Sequence, residues 1–174
     1  MIMTVEELKS YISTNESDEV LEGKLQALEL LIRKYTNNNF QIRSIRFLVN
    51  VVDGGINLET PLLNENDTIQ ISQSLYNDGV YYIKSKSGQN LILNDVLIIE
   101  DKILITKIKY PQDVKMGVVN MMKWELENRD KVGIKSETIS RHSVTYFNMD
   151  GDDSIMGFPK SLLGFLEPYK KARF

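Results

Sequence analysis

Apolar positions recur every three or four residues near the start of the chain and every second residue through its middle. Leu21, Leu25, Leu28, Ile32 and Tyr35 are spaced four, three, four and three, along one stripe of a helix. Val20, Ala27, Leu30 and Leu31 widen that stripe. The pattern predicts a helix from about Asp18 to Tyr35. "TNNNF" stops it, because asparagine tolerates left-handed backbone and competes for local hydrogen bonds. A shorter helix is expected before it. Thr4 and Glu7 make a capping box, Met3 and Leu8 are spaced for a staple across the cap, and Leu8, Tyr11 and Ile12 give a short apolar face.

From about Gln41 to Tyr110 the period changes to two. In "IRSIRFLVNVV", Ile45, Phe47, Val49 and Val51 share a face. "DGG" at 53–55, "NDG" at 77–79 and "SGQN" at 87–90 are turn signals. "TIQIS", "GVYYIKS", "NLILND", "VLIIED" and "KILITKIKY" are further strand candidates, enough for a small barrel or sandwich.

Pro111 then opens another helix, lined by Val114, Val118, Met121, Met122 and Leu126. Val119 and Trp124 lie off that stripe, so this helix is apolar over more than half its circumference. It is expected either at the centre of a bundle or covered by another subunit. Gly117 within it costs about 1 kcal/mol against alanine, which points to a close packing contact. "KVGI" ends the helix at Gly133. "SETISRHSVTYFNMD" follows as an extended arm with two mixed faces. Pro159 begins a last short helix carrying Leu162, Leu163, Phe165 and Leu166, and Pro168 stops it.

These elements predict an α+β chain. Residues 1–41 and 111–174 are expected to form a helical bundle of three to four helices, with an extended arm and a C-terminal tail. Residues 42–110 are expected to form an inserted small antiparallel β-barrel or sandwich.

Composition narrows the function. The chain has 174 residues, 42% hydrophobic and 26% charged, as in ordinary globular domains. Its net charge of −3 argues against a protein built mainly to grip phosphates. No cysteine is present, which removes disulfides, thiolate metal sites and cysteine nucleophiles and suits a reducing compartment. No apolar run approaches the ~20 residues of a membrane span. "MIMTVEELKS" lacks the basic and apolar regions of a signal peptide, so a cytoplasmic origin is expected.

The catalytic and metal readings fail on their own chemistry. His142 is the single histidine. Ser140 and Ser143 lie near it, but neither sits on a nucleophile elbow. Metal binding through it lacks a second histidine or a cysteine. "NMDGDDS" places Asn148, Asp150 and Asp152 like the first three ligands of a calcium loop. Asp153 then stands where glycine is needed and Pro159 where glutamate is needed, so a solvated turn fits better. "DGGIN" and "SKSGQN" lack the Walker lysine and glycine spacing. Glu100 and Asp101, adjacent on a strand, point to opposite faces. No catalytic residue, metal or cofactor is therefore expected.

Tyr76, Tyr81, Tyr82, Lys84 and Lys86 suit an oligonucleotide-binding barrel, in which aromatics stack on bases. Seven Lys/Arg against eight Asp/Glu in 42–110 weigh against it, and it stands as the alternative reading. The tail "YKKARF" reads either as a disordered end or as a contact for nucleic acid, membrane or an acidic groove. It is too short to anchor to lipid alone.

In order, "VEELKSYI", "LEGKLQALELLIRKYTN", "GIKSETISRHSVTYF" and "FPKSLLGFLEPYKKARF" resemble the head–tail connector, or adaptor, proteins of long-tailed bacteriophages. The C-terminal third carries most of the likeness. The insert "NDTIQISQSLYNDGVYYIKS" is similar to small barrels found in some phage structural proteins, although smaller connectors are almost wholly helical. The resemblance implies a non-enzymatic virion protein at the head–tail junction, made in the host cytoplasm. It implies a ring of about twelve subunits under the portal protein, closed by heterologous interfaces. The ring extends a channel for double-stranded DNA, which passes without sequence-specific contact, and it receives a tail-completion or neck protein. On this reading Met121, Met122, Trp124, Ile139, Val144 and Tyr146 form subunit contacts. Tyr169, Lys170, Lys171, Arg173 and Phe174 engage the portal. No membrane is involved.

Overall fold

The computed structural model describes residues 1–128, 136–139, 142–145 and 154–172, the pieces 136–139 and 142–145 by their backbone pairing. The chain divides into two compact units. Met1–Thr4 with Asn39–Tyr110 make the first, and Val5–Asn38 with 111–174 the second.

The first unit is a closed antiparallel barrel of six strands in the order β1-β2-β5-β4-β3-β6. They are β1 (Gln41–Val52), β2 (Gly55–Asn57), β3 (Thr68–Ser72), β4 (Gly79–Ser87), β5 (Asn90–Leu93) and β6 (Glu100–Ile108). Alternate residues fill it: Val49 and Val51, Ile69 and Ile71, Ile103 and Ile105, with Ile56, Ile83 and Leu91 between them. Closure removes the edges an open sheet would expose. Asp53 and Gly54 both take positive φ, 50° and 78°. That makes the two-residue hairpin turn whose twist suits paired strands. Val49 pairs with Ile103 and Val51 with Glu100, so Asp101 and Lys102 stand opposite Asn50 alone. Lys102 takes φ 60° in this bulge, and its N–H donates to Asn50 Oδ1 at 3.0 Å. The chain enters and leaves at one end of the barrel, where the Phe40 and Tyr110 rings meet at 4.9 Å.

The second unit is built on two long helices. Ser17 Oγ accepts from the Val20 N–H and opens α2 (Asp18–Thr36). Asn37, at φ 49°, closes it with a left-handed cap. Leu21, Leu25, Leu28 and Ile32 are buried along its stripe. Next to it is α3 (Gln112–Asn128), whose Val114, Val118, Val119, Met121 and Met122 are buried. Lys24 bridges to Glu125 at 3.1 Å between the two. The first helix, α1 (Val5–Lys9), has five residues. Lys115 of α3 pairs with its Glu7 at 2.9 Å.

The expected bundle of three to four helices carrying a β insert is overturned. The closed barrel is a compact unit in its own right, and among the described residues only α2 and α3 are long enough to show a stripe. Residues expected as a helix after Pro159 form two 3-10 segments, Lys160–Leu162 and Gly164–Tyr169. Gly164 and Pro168 deny that stretch the length and hydrogen bonds of an α-helix. The expected extended arm is also corrected. Strands β7 (Ser136–Ile139) and β8 (His142–Thr145) pair antiparallel, with Ile139 opposite His142 and Glu137 opposite Val144. The minimal pair β9 (Ser154–Ile155) and β10 (Phe158–Pro159) follows.

Candidate functional site

Three connections meet at the barrel end opposite the chain's entry: the β1–β2 turn, the β3–β4 loop 73–78 and the β5–β6 loop 94–99. Asn77 fastens two of them. It is buried, and its amide Nδ2 donates to the Ile98 carbonyl at 2.9 Å and to Glu100 Oε2 at 3.0 Å. Its Oδ1 accepts from the Ile98 N–H at 2.8 Å, and its own carbonyl accepts from the Tyr81 hydroxyl at 3.0 Å. Glu100 also accepts from the Ser74 hydroxyl and, at 2.7 Å, from the Leu75 N–H. The Ser74 hydroxyl foremost, then the Leu75 amide, hold the Glu100 carboxyl below the ordinary glutamate value. Burial, with Asp95 and Asp78 nearby, pushes the Tyr81 hydroxyl up. The third connection joins through the Leu97 N–H, which donates to the Gly54 carbonyl at 3.4 Å.

This framework holds apolar side chains outward. Val96 is 88% exposed, Leu75 83%, Ile99 71% and Tyr76 66%, with Val52 and Ile98 exposed beside them. Scattered exposed apolar residues are ordinary, but these are gathered on three fastened loops, a grouping of the kind interaction surfaces show. Sequence reasoning missed it. "VLIIED" reads as a strand, yet β6 begins only at Glu100 and Leu97 alone of 96–99 turns inward. The available signal was Leu75-Tyr76 standing inside a run of turn-forming polar residues.

The nucleic-acid candidates do not gather into one groove. Tyr81 is tied to Asn77, while Tyr76 stands out on the 73–78 loop. Tyr82 and Lys84 lie along β4. Lys86 Nζ donates to the carbonyls of Thr60 and Leu63, which fastens the 58–67 segment. Lys107 is paired with Asp67 at 2.6 Å.

Of the expected subunit contacts, Met121 and Met122 are fully buried within their own chain, so neither offers surface to a neighbour. The broad apolar girth of α3 is consumed internally. Trp124 is half-buried against Phe158, ring centroids 5.4 Å apart. Ile139 and Val144 lie on β7 and β8, and Tyr146 lies outside the described residues. His142 sits on β8, and the acidic stretch 148–153 is also outside them.

The tail is not a loose end as far as it is described. The Tyr169 hydroxyl donates to both Asp113 carboxylate oxygens, at 2.8 and 2.7 Å, and that bond raises its pKa. Lys170 Nζ lies 2.7 Å from Glu167 Oε1 and 4.1 Å above the Tyr35 ring. The Lys171 N–H donates to the Thr36 carbonyl at 2.8 Å, satisfying a terminal carbonyl of α2. Asn38 Nδ2 donates to the Tyr169 carbonyl and Asn37 Nδ2 to that of Ala172. Thus Tyr169 and Lys170, expected to face a portal, are engaged by their own chain. The Lys171 side chain stays exposed, and Arg173 and Phe174 lie outside the described residues. Tyr169→Phe is expected to loosen this latch by about 1 kcal/mol, the ordinary net value of a hydrogen bond. Trypsin cleavage after Lys170 and Lys171, followed by mass spectrometry, should quicken several-fold. An unchanged rate would show that the hydroxyl does not hold the tail.

No family model matches this chain, and no curated protein is similar to it. Among the described residues, no helix is long and apolar enough to cross a membrane, and no group of three metal-binding side chains occurs.

Proposed function

We propose that this chain is a structural subunit that works by docking, and specifically a connector at the junction of phage head and tail. Copies form a ring that joins the portal to the next neck or tail protein and continues the DNA channel. The observation that supports this most is the β7–β8 hairpin, a two-stranded sheet that pairs with no other strand among the described residues. A lone hairpin is marginal in water, and its unpaired backbone is a template for a strand from another chain. A neighbouring subunit supplies such a strand in a ring of heterologous contacts. Ile139 and Val144 remain the proposed contacts there, in keeping with the connector likeness of the C-terminal third.

The test is a nonsense mutation of the gene in its phage, with lysates viewed by negative-stain electron microscopy. Separate full heads and finished tails, joined on adding the purified protein, are the expected result. Normal virions would overturn the connector reading.

A further inference from the structure

The loops of the barrel end carry exposed apolar side chains on a fastened framework, and their chemistry selects a partner. We propose that this end of the barrel is a docking surface for a protein whose contact face is apolar at its centre and rich in lysine or arginine at its rim. The inference stands independently of the connector reading.

Three observations carry it. The first is the apolar centre, where Val52, Leu75, Tyr76, Val96, Ile98 and Ile99 are all exposed. The second is preorganisation. Buried Asn77 binds both the N–H and the carbonyl of Ile98, and Glu100 binds the Leu75 N–H, so both exposed loops are held in place before any partner arrives. A surface fixed in advance loses less entropy on binding. The third is charge. Asp53, Asp78, Asp95 and Asp101 are exposed around the apolar centre, and Lys102 is the one cation within these turns and the start of β6.

That rim chooses between occupants. Two copies meeting face to face would press like carboxylates together as they leave water. A nucleic acid or an anionic lipid surface would be repelled. A basic rim on a protein partner complements it, steering encounter while the apolar side chains supply the buried area.

The experiment uses the isotope-labelled full chain and two fluorescent amphipathic peptides, one of leucine and lysine and one of leucine and glutamate. The leucine–lysine peptide should perturb amide signals at 52–54, 75–78 and 95–101 and bind at least roughly tenfold tighter than its acidic counterpart. The triple variant Leu75→Ser, Val96→Ser, Ile99→Ser should lower that affinity about tenfold while keeping the wild-type circular dichroism. Asp53→Asn with Asp95→Asn should lower it several-fold and flatten its salt dependence. Perturbations elsewhere, equal binding of the two peptides, or unaltered affinity in the triple variant would overturn the proposal. Self-association abolished by the triple variant would replace the partner with a second copy. Stronger binding to phosphatidylglycerol vesicles than to the peptide would replace it with a membrane.

Discussion

Gly117→Val should destabilise the helical unit by about 3 kcal/mol, read from urea unfolding followed by helical ellipticity. A Cβ at Gly117 would stand 2.3 to 2.4 Å from three ring atoms of Phe165, so no side chain fits while that ring stays in place. Phe165 belongs to the 3-10 segment that leads into the tail, and its ring lies on α3 because glycine leaves the helix surface open. Alanine at the same position sets two effects against each other. It gains about 1 kcal/mol of helix propensity. It loses more by driving the ring off its seat, where burying such a side chain is worth about 1.5–3 kcal/mol. The net expectation for Gly117→Ala is a loss of about 1 kcal/mol. The pair should also couple. With Phe165→Ala already present, Gly117→Ala should stabilise rather than destabilise, giving an interaction energy of about 2 kcal/mol in the double-mutant cycle. If Gly117→Ala alone raised stability, the ring contact would not be what holds this segment.

That glycine shows how far the chain could be read in advance. Its cost inside a helix pointed to a close contact, but not to Phe165, since which ring arrives is settled by chain folded far away in sequence. The same division runs through the fold. Helix α2 was legible because its stripe and its asparagine stop are local: Asp18 to Tyr35 was expected and Asp18–Thr36 is found, capped by left-handed Asn37. The alternation of Phe47, Val49 and Val51 likewise announced β1. The order β1-β2-β5-β4-β3-β6 was not legible, because it rests on pairings such as Thr68 with Ile108, forty residues apart. The expected helical bundle fails because apolar content does not set helix length. Leu162, Leu163, Phe165 and Leu166 are apolar enough for a helix, but Gly164 and Pro168 break it into 3-10 pieces. The connector likeness implies a partner contact for the tail, whereas Asp113, Glu167 and the Tyr35 ring, distant or local in the same chain, receive Tyr169 and Lys170. The apolar end of the barrel was hidden for a different reason. "VLIIED" and "NDG" carry ordinary strand and turn signals, and the hydrogen bonds that hold 96–99 as an exposed loop come from Asn77 and Gly54, distant in sequence.

Asn77→Leu should therefore cost about 3 kcal/mol, one unit for each side-chain hydrogen bond removed from a residue only 3% exposed. Leucine keeps the volume but leaves the Ile98 N–H and carbonyl without their partner, and withdraws one donor from Glu100. Amide exchange at Ile98 should quicken far more than exchange at Ile69 or Ile103 in the barrel core, because the loop opens locally while the strands stay paired. Asn77→Asp separates the roles further. It preserves an acceptor for the Ile98 N–H but sets a second carboxylate against Glu100. Repulsion from Glu100 raises the introduced carboxyl's pKa in the folded state above its value in the unfolded chain. The penalty is then fully present at neutral pH and is relieved as pH falls through the raised folded value, so this variant should gain stability relative to Asn77→Leu on acidification. Neither substitution alters an exposed apolar side chain. Weaker binding of the leucine–lysine peptide to Asn77→Leu, with Leu75, Val96 and Ile99 intact, would show that affinity depends on the loops being held as well as on what they carry. Equal binding would mean that the partner itself can order them, and the buried network would then serve the barrel's stability alone.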